Sequence, residues 1–207
     1  MIAEIMIASW ALASAPASPC LNSTNAKLPF CDESRPVPDR VQDLLSRLTL
    51  DEKISQLTTG NGVNGGTSDN SIPRLGIPRY DWWSEGTHGV KGSYNAPPHT
   101  DFPFPITTAM SFNRTLWTAT AHQIAREGRA LYNINGGGLT FWAPVVNLAR
   151  DPRWGRNIEC PGEDPFLSAE YATSFVRGYQ YSPEDPSHLL VGATCSTFVL
   201  SLGGYVR

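Results

Sequence analysis

Residues 138–165 read G-L-T-F-W-A-P-V-V-N-L-A-R-D-P-R-W-G-R-N-I-E-C-P-G-E-D-P. Leu139 to Val146 is apolar almost without a break, as a strand buried on both faces is. Charge, Pro and Gly then crowd the stretch that follows, and a polar loop at the C-terminal end of a strand is where α/β folds collect active-site groups. Asp164-Pro165 opens a helix, F-L-S-A-E-Y-A-T-S-F-V-R-G-Y, with Pro at its first position and Gly178 near its end. Gly136-Gly137-Gly138 stands before the strand, so it lacks the strand, glycine turn, helix order of a phosphate cradle.

The same alternation continues outward. Upstream, Phe112 to Tyr132 carries Leu116, Ala119, Ile124, Ala130 and Leu131 at helical spacing. Val37 to Leu48 is a shorter helix, and Thr49-Leu-Asp-Glu52 is a capping box that starts another through Leu57. A Gly-, Asn- and Ser-rich segment over 58–71 reads as an exposed loop, and I-P-R-Y-D-W-W (77–83) as a short strand. Downstream, H-L-L-V-G-A-T-C (188–195) is one more strand. There is no internal repeat.

With 41% hydrophobic residues the 207-residue chain can bury a core, and a net charge of −3 spread without basic blocks argues against nucleic acid. Residues 1–15 are an apolar run ending in small residues, the form of a signal peptide, despite Glu4 and a Pro16 that disfavours cleavage after Ala15. No other stretch is long and apolar enough to span a bilayer, so no membrane partner is expected after leader removal. The domain reading is a leader over 1–15, an arm over 16–36 and an α/β unit over 37–207. In the arm, Cys20 and Cys31 bracket a short polar segment, which in an oxidising compartment suggests a disulfide; two unpaired thiols are the alternative. Asn22 and Asn113 each open an N-glycosylation sequon, and Asn113 also stands where a helix N-cap belongs. No Cys/His spacing suggests a metal.

The most informative short stretch is Y-D-W-W-S-E-G-T-H-G-V-K, residues 80–91. Large aromatic faces interleaved with polar groups suit a ligand that is hydroxylated and partly apolar, such as a sugar. A strand end whose tryptophans fill a core and whose Glu85 pairs with an arginine is the other reading. His88, between Gly86 and Gly89, reads as a structural imidazole bonded to backbone in a tight turn.

Taken in order, R-L-G-I-P-R-Y-D-W-W-S-E-G-T-H-G-V, F-P-F-P-I-T-T-A-M-S-F-N-R-T-L-W, G-L-T-F-W-A-P-V-V-N and R-D-P-R-W-G-R-N-I-E-C-P-G-E-D-P resemble the N-terminal domain of glycoside hydrolase family 3, in its β-xylosidase and α-arabinofuranosidase branch. The resemblance runs over about residues 35–195. It implies a (β/α)8 barrel of the TIM type, of which this chain supplies the first half and is incomplete. It also implies retaining hydrolysis by an aspartate nucleophile and a separate acid/base carboxyl, a pair that must sit about 5–5.5 Å apart.

By motif, the resemblance makes Glu85 the carboxylate that accepts hydrogen bonds from hydroxyls of the terminal sugar. Its length, against an aspartate in glucosidase-type members, implies pentose preference. Arg156 matches the arginine that holds the sugar through its planar fork, with an ion pair to Glu159 or Glu163 as the alternative. Trp142 matches an aromatic of the sugar subsite, with a plain core residue as the alternative. Where the family continues with a Lys-His pair after G-A-T-C, this sequence has Ser196-Thr197. The nucleophile and acid/base belong to family segments beyond Arg207, so no catalytic residue is nominated here. The implied function is hydrolysis of O-glycosidic bonds, releasing terminal xylose or arabinose from xylan-derived oligosaccharides, in a full-length enzyme; an inactive truncated fragment or sugar-binding relic is the alternative. The implied partner is a xylo-oligosaccharide or arabinoside, the implied location extracellular, and no cofactor is required.

Overall fold

The computed structural model describes residues 18–57, 70–90, 98–135 and 138–196. The leader of 1–15, most of the loop of 58–71 and residues 197–207 lie outside the described residues.

Helices α1 (Val37–Arg47) and α2 (Leu50–Leu57) come first. The capping box between them is formed in both directions: Thr49 N–H donates to Glu52 Oε2 at 2.8 Å and Glu52 N–H to Thr49 Oγ1 at 3.3 Å. Glu52 also receives Arg74, whose guanidinium holds its carboxyl down at about 2. The arm folds onto this pair. Cys20 and Cys31 are disulfide-bonded, Phe30 is buried beside α1, and Arg40 Nε donates to Phe30 O at 3.0 Å. Asn25, also buried, donates to Leu75 O at 2.6 Å in the turn at Pro73–Leu75.

A five-residue helix, α3 (Pro105–Ala109), precedes α4 (Arg114–Asn135). The periodicity placed the start of α4 at Phe112, but Phe112 has φ 50°, the left-handed region, and cannot carry a right-handed first turn. Asn113 instead caps the helix, its Oδ1 accepting from Leu116 N–H at 3.1 Å. Strand β1 (Thr140–Phe141) follows, then α5 (Pro165–Gln180) and β2 (Gly192–Ala193).

Three extended segments lie side by side and parallel: Ser84, β1 and β2. Ser84 N–H donates to Thr140 O at 3.1 Å, Trp142 N–H to Ser84 O at 2.9 Å, and Thr194 N–H to Phe141 O at 2.8 Å. A bridge between Val145 and Ser196 extends the second junction. Helix α4 connects the Ser84 segment to β1 and α5 connects β1 to β2, which is the repeating βαβ construction of a barrel wall. The ladders are shorter than the apolar runs that announced them. In residues 77–83, read as a strand, the only bridge is that of Ile77 to Ile72, and the parallel pairing begins one residue later at Ser84.

The core is the layer between this wall and the two helices. Phe141 is 2% exposed and meets Tyr179 of α5 edge to face at 5.8 Å. Tyr171, Phe175 and Tyr179, four residues apart on α5, stack in a column against Trp117, Ile124 and Ala125 of α4. Gly178 lies near the end of α5, as its sequence position suggested, and it is a glycine because α4 passes against its backbone. The start of α5 is capped by Asp164, whose Oδ2 accepts from Leu167 N–H at 2.6 Å. Asp164→Ala is expected to lower stability by about 1 kcal/mol, measured as a drop in the urea midpoint; an unchanged midpoint would show that water caps this end equally well.

Candidate functional site

The polar loops after the Ser84 segment and after β1 meet at the same end of the wall. Between them is a cleft of about 450 Å³ lined by Glu85, His88, Asp101, Phe104, Arg156 and Glu159, among others. Glu85 and Arg156, 71 positions apart in sequence, therefore face one space.

Glu85 follows the last paired residue of its strand. Trp83, two residues earlier and so on the same side of the extended chain, donates its indole Nε1–H to Glu85 Oε1 at 2.9 Å. The backbone beyond is pinned from behind, because the Tyr179 hydroxyl donates to Gly86 O. A Cβ at Gly86 would lie 2.1 Å from Tyr179 Oη and 2.9 Å from Phe141 Cδ1, so only glycine allows this approach. The glycine after Glu85 thus has a packing reason, and it ties the backbone next to Glu85 to the helix layer.

Arg156 stands just before the 3₁₀ turn Asn157–Glu159. That turn brings Glu159 back onto it: Nε donates to Glu159 Oε1 at 2.8 Å and Nη2 to Oε2. Hydrogen bonding to Glu159, with the nearby Glu85 charge adding to it, holds the guanidinium above its ordinary range against the opposing effect of burial. The ion pair to Glu159 and the position in the cleft, alternatives at the level of sequence, hold together. The supporting loop is cross-tied: Asn147 Oδ1 accepts from Arg150 Nη1 at 2.6 Å, Asn157 Nδ2 donates to Asp151 O at 2.7 Å, and Ala149 N–H to Gly162 O at 3.0 Å. Arg153 beside Asp151 holds that carboxyl down at about 2.

His88 differs from its sequence reading. Its Nδ1 lies 2.9 Å from Asp101 Oδ1 without the alignment of a directed hydrogen bond, and its ring packs on Phe104 at 4.2 Å. The backbone bond in this turn is made by its carbonyl, which accepts from Phe102 N–H at 2.7 Å. Trp142 does not line the cleft. Its indole Nε1–H donates to Trp82 O at 3.0 Å, which draws the ring toward the segment just before Ser84, and it is 42% exposed. Cys160 is fully buried, and burial pushes its thiol up to about 11, so it behaves as a small apolar residue. Among the described residues no cluster of His, Cys, Asp and Glu is arranged to hold a metal ion.

Sequence reasoning nominated neither Trp83 nor Glu159 as a site residue. The signal for Trp83 was its spacing of two from Glu85 in an extended segment; for Glu159 it was the spacing of three from Arg156, which only a tight turn converts into contact.

A wall of parallel strands backed by helices, with a polar cleft at the strand ends, is the construction of part of an α/β barrel. Residues 56–194 match the glycosyl hydrolase family 3 N terminal domain, and the chain belongs to that family. It is 46% identical over 181 residues to β-xylosidase/α-L-arabinofuranosidase 1 of Medicago sativa subsp. varia, covering 84% of this chain and 22% of the relative. It is 45% identical over 186 residues to β-D-xylosidase 1 of Arabidopsis thaliana, covering 86% and 23%. The chain therefore spans about a fifth of the length of these relatives. Among solved structures, a family GH3 exo-β-xylosidase in complex with a xylobiose aziridine probe superposes with a TM-score of 0.70 at 31% identity, over 89% of this chain and 23% of that one. The β-glucosidase 3B of Thermotoga neapolitana, in complex with α-D-glucose, gives 0.55 at 31% identity over 68% and 21%.

Proposed function

We propose that this chain carries the terminal-sugar-binding half of a retaining, β-xylosidase-type glycoside hydrolase, and that Glu85 and Arg156 are its principal sugar ligands. The observation that carries the reading is their meeting across one cleft from loops of two different strands. An ionised carboxylate offers only acceptors and a guanidinium only donors, so the two together can meet both halves of a sugar hydroxyl's hydrogen-bonding capacity. Trp83 fixes the orientation of the Glu85 carboxylate by holding one of its oxygens. Trp142 lies outside this cleft with its indole tied to Trp82 O, and its part in sugar binding is proposed on its motif alone. No carboxylate of the described residues is assigned as nucleophile or acid/base: Glu85 and Glu159 are each held by a neighbouring donor, the condition of an orienting group. In the whole enzyme the reaction is removal of terminal xylose or arabinose from xylan-derived oligosaccharides, as the names of the relatives suggest.

Secretion belongs to the same proposal, with residues 1–15 as leader, 16–36 as arm and 37–207 as catalytic-barrel segment. It is supported by the Cys20–Cys31 bridge, a bond typical of oxidising compartments, and by the exposure of both sequon asparagines.

The test is titration of the 207-residue chain with methyl β-D-xyloside, followed by tryptophan fluorescence. Saturable binding is expected, tighter than for methyl β-D-glucoside, and weakened at least about tenfold in Glu85→Ala, the loss of one or two charge-assisted hydrogen bonds. Equal binding by wild type and variant would remove Glu85 from the site.

A further inference from the structure

Glu85 and Arg156 offer partners to the hydroxyls of a sugar, but a pyranose also presents two faces of C–H bonds, which hydrogen bonds do not cover. Trp142 is drawn outside the cleft. Among the described residues that line it, Phe104 supplies the only phenyl or indole ring, and Phe104 is 38% exposed. Exposure of a single apolar side chain is ordinary. What sets Phe104 apart is how firmly its surroundings are fixed.

Phe104 stands just before α3, and its carbonyl accepts from Thr107 N–H at 2.9 Å and from Thr108 N–H at 3.0 Å. Pro105, next to it, is fully buried. Upstream, Thr100 is clamped to α4, its N–H and its hydroxyl donating to the two oxygens of Glu127 at 2.8 and 2.7 Å. Phe102 N–H donates to His88 O at 2.7 Å, and the Phe104 ring lies on the His88 imidazole with centroids 4.2 Å apart. His88 belongs to the turn that follows Glu85, so the ring and the carboxylate are carried by segments tied to each other. A fixed apolar ring beside a few fixed polar groups is the composition of a small-molecule site, and groups ordered in advance spare a ligand the cost of ordering them.

We propose that Phe104 is the stacking residue of the cleft, its phenyl ring covering one C–H face of a β-pyranoside whose hydroxyls are taken by Glu85 and Arg156. The inference rests on the sugar-binding reading of the cleft and deepens it by naming the surface that reads the sugar ring rather than its hydroxyls. In a β-D-xylopyranoside every substituent is equatorial. Both faces are therefore lined by axial C–H bonds, H1, H3 and H5 on one side and H2 and H4 on the other. An open-chain polyol such as xylitol has similar hydroxyls and no such face, so the ligand class that gains from Phe104 is the cyclic β-pyranoside.

The experiment follows methyl β-D-xyloside and xylitol binding to the full chain by saturation-transfer NMR. In the wild type, the axial hydrogens of one face are expected to receive more saturation than those of the other. Phe104→Ala should bind the xyloside about fivefold more weakly, the size of one aromatic contact, lose the imbalance between faces, and leave xylitol binding unchanged. Phe104→Leu keeps apolar bulk against His88 without an aromatic face; it should lose the imbalance too, and it serves if the alanine variant does not fold. A Phe104 that only supports His88 would weaken xyloside and xylitol alike and leave the imbalance in place. That result, an imbalance retained in Phe104→Leu, or unchanged xyloside binding in Phe104→Ala overturns the inference, and the sugar site stands as long as Glu85→Ala still loses the xyloside. No xyloside binding by the wild type overturns both.

Discussion

Phe141→Ala is expected to destabilise the chain by about 3–5 kcal/mol, the range for emptying a buried aromatic site. Phe141 is 2% exposed and is the point where the strand layer meets both helices. Its ring fills the space left by Gly128 of α4, where an added Cβ would fall 2.5 Å from Phe141 Cζ, and it packs edge to face on Tyr179 of α5. Its backbone also pairs on both sides, bridging to Ser84 and ladder-paired with Ala193, so the void cannot close by shifting one strand. A smaller loss would follow from local collapse alone. Urea unfolding should show the midpoint falling with the slope nearly unchanged. A loss below about 1 kcal/mol would mean that the wall and the helices do not share this core.

Gly178→Ala is expected to cost about 2–3 kcal/mol, the upper part of the overpacking range, which reverses the sign that helix propensity predicts. In an unhindered helix interior the same change gains about 1 kcal/mol. Here the added Cβ would stand 2.4 Å from Thr118 O and 2.8 Å from Ala121 Cβ, and the first of these is helix backbone, which cannot rotate away. Only separation of α4 from α5 relieves the contact, and that loosens the Tyr171, Phe175, Tyr179 column along their shared face. Gly155→Ala is the matched control, because a Cβ there meets nothing within 4 Å. A stabilised Gly178→Ala would show that the two helices pack less closely than described.

The local features were legible in the sequence because their causes are local. The capping box at Thr49–Glu52, the Asn113 cap and the Asp-Pro start of α5 each depend on residues three or four apart, and all are present. Helix α4 was displaced by two residues because a single backbone angle at Phe112 lies outside any periodicity. The strands were legible as apolar runs, but their paired lengths were not: Thr140–Phe141 and Gly192–Ala193 are set by where a partner 52 positions away comes into register. Gly178 was legible as a glycine near the end of α5, but its close approach to α4 was not, since that contact is with another helix.

The site divides in the same way. Glu85 and Arg156 could be named from long motifs, yet nothing in either motif says that they share a cleft. That follows from the parallel order of the Ser84 segment and β1. Trp142 was legible as an aromatic following a strand, but the Trp82 carbonyl that draws its indole aside comes from a segment 60 residues earlier, and its own motif does not show that contact. Amphipathic spacing located α1 and the capping box α2, while Val37, Leu50 and Leu57 stay exposed, because neither signal records what lies over a helix.

The amide of Asn113 serves two chemistries through two different atoms. Oδ1 holds the first turn of α4, and the sequon would carry a glycan on Nδ2. Removing the sequon by Asn113→Gln, the usual choice for abolishing glycosylation, would therefore also uncap a 22-residue helix of the core, and any fall in yield would be charged to the lost sugar. Thr115→Ala, or Asn113→Asp with its equivalent capping oxygen, removes the acceptor while sparing the helix. The difference between those variants and Asn113→Gln isolates how much of the phenotype belongs to carbohydrate and how much to a hydrogen bond.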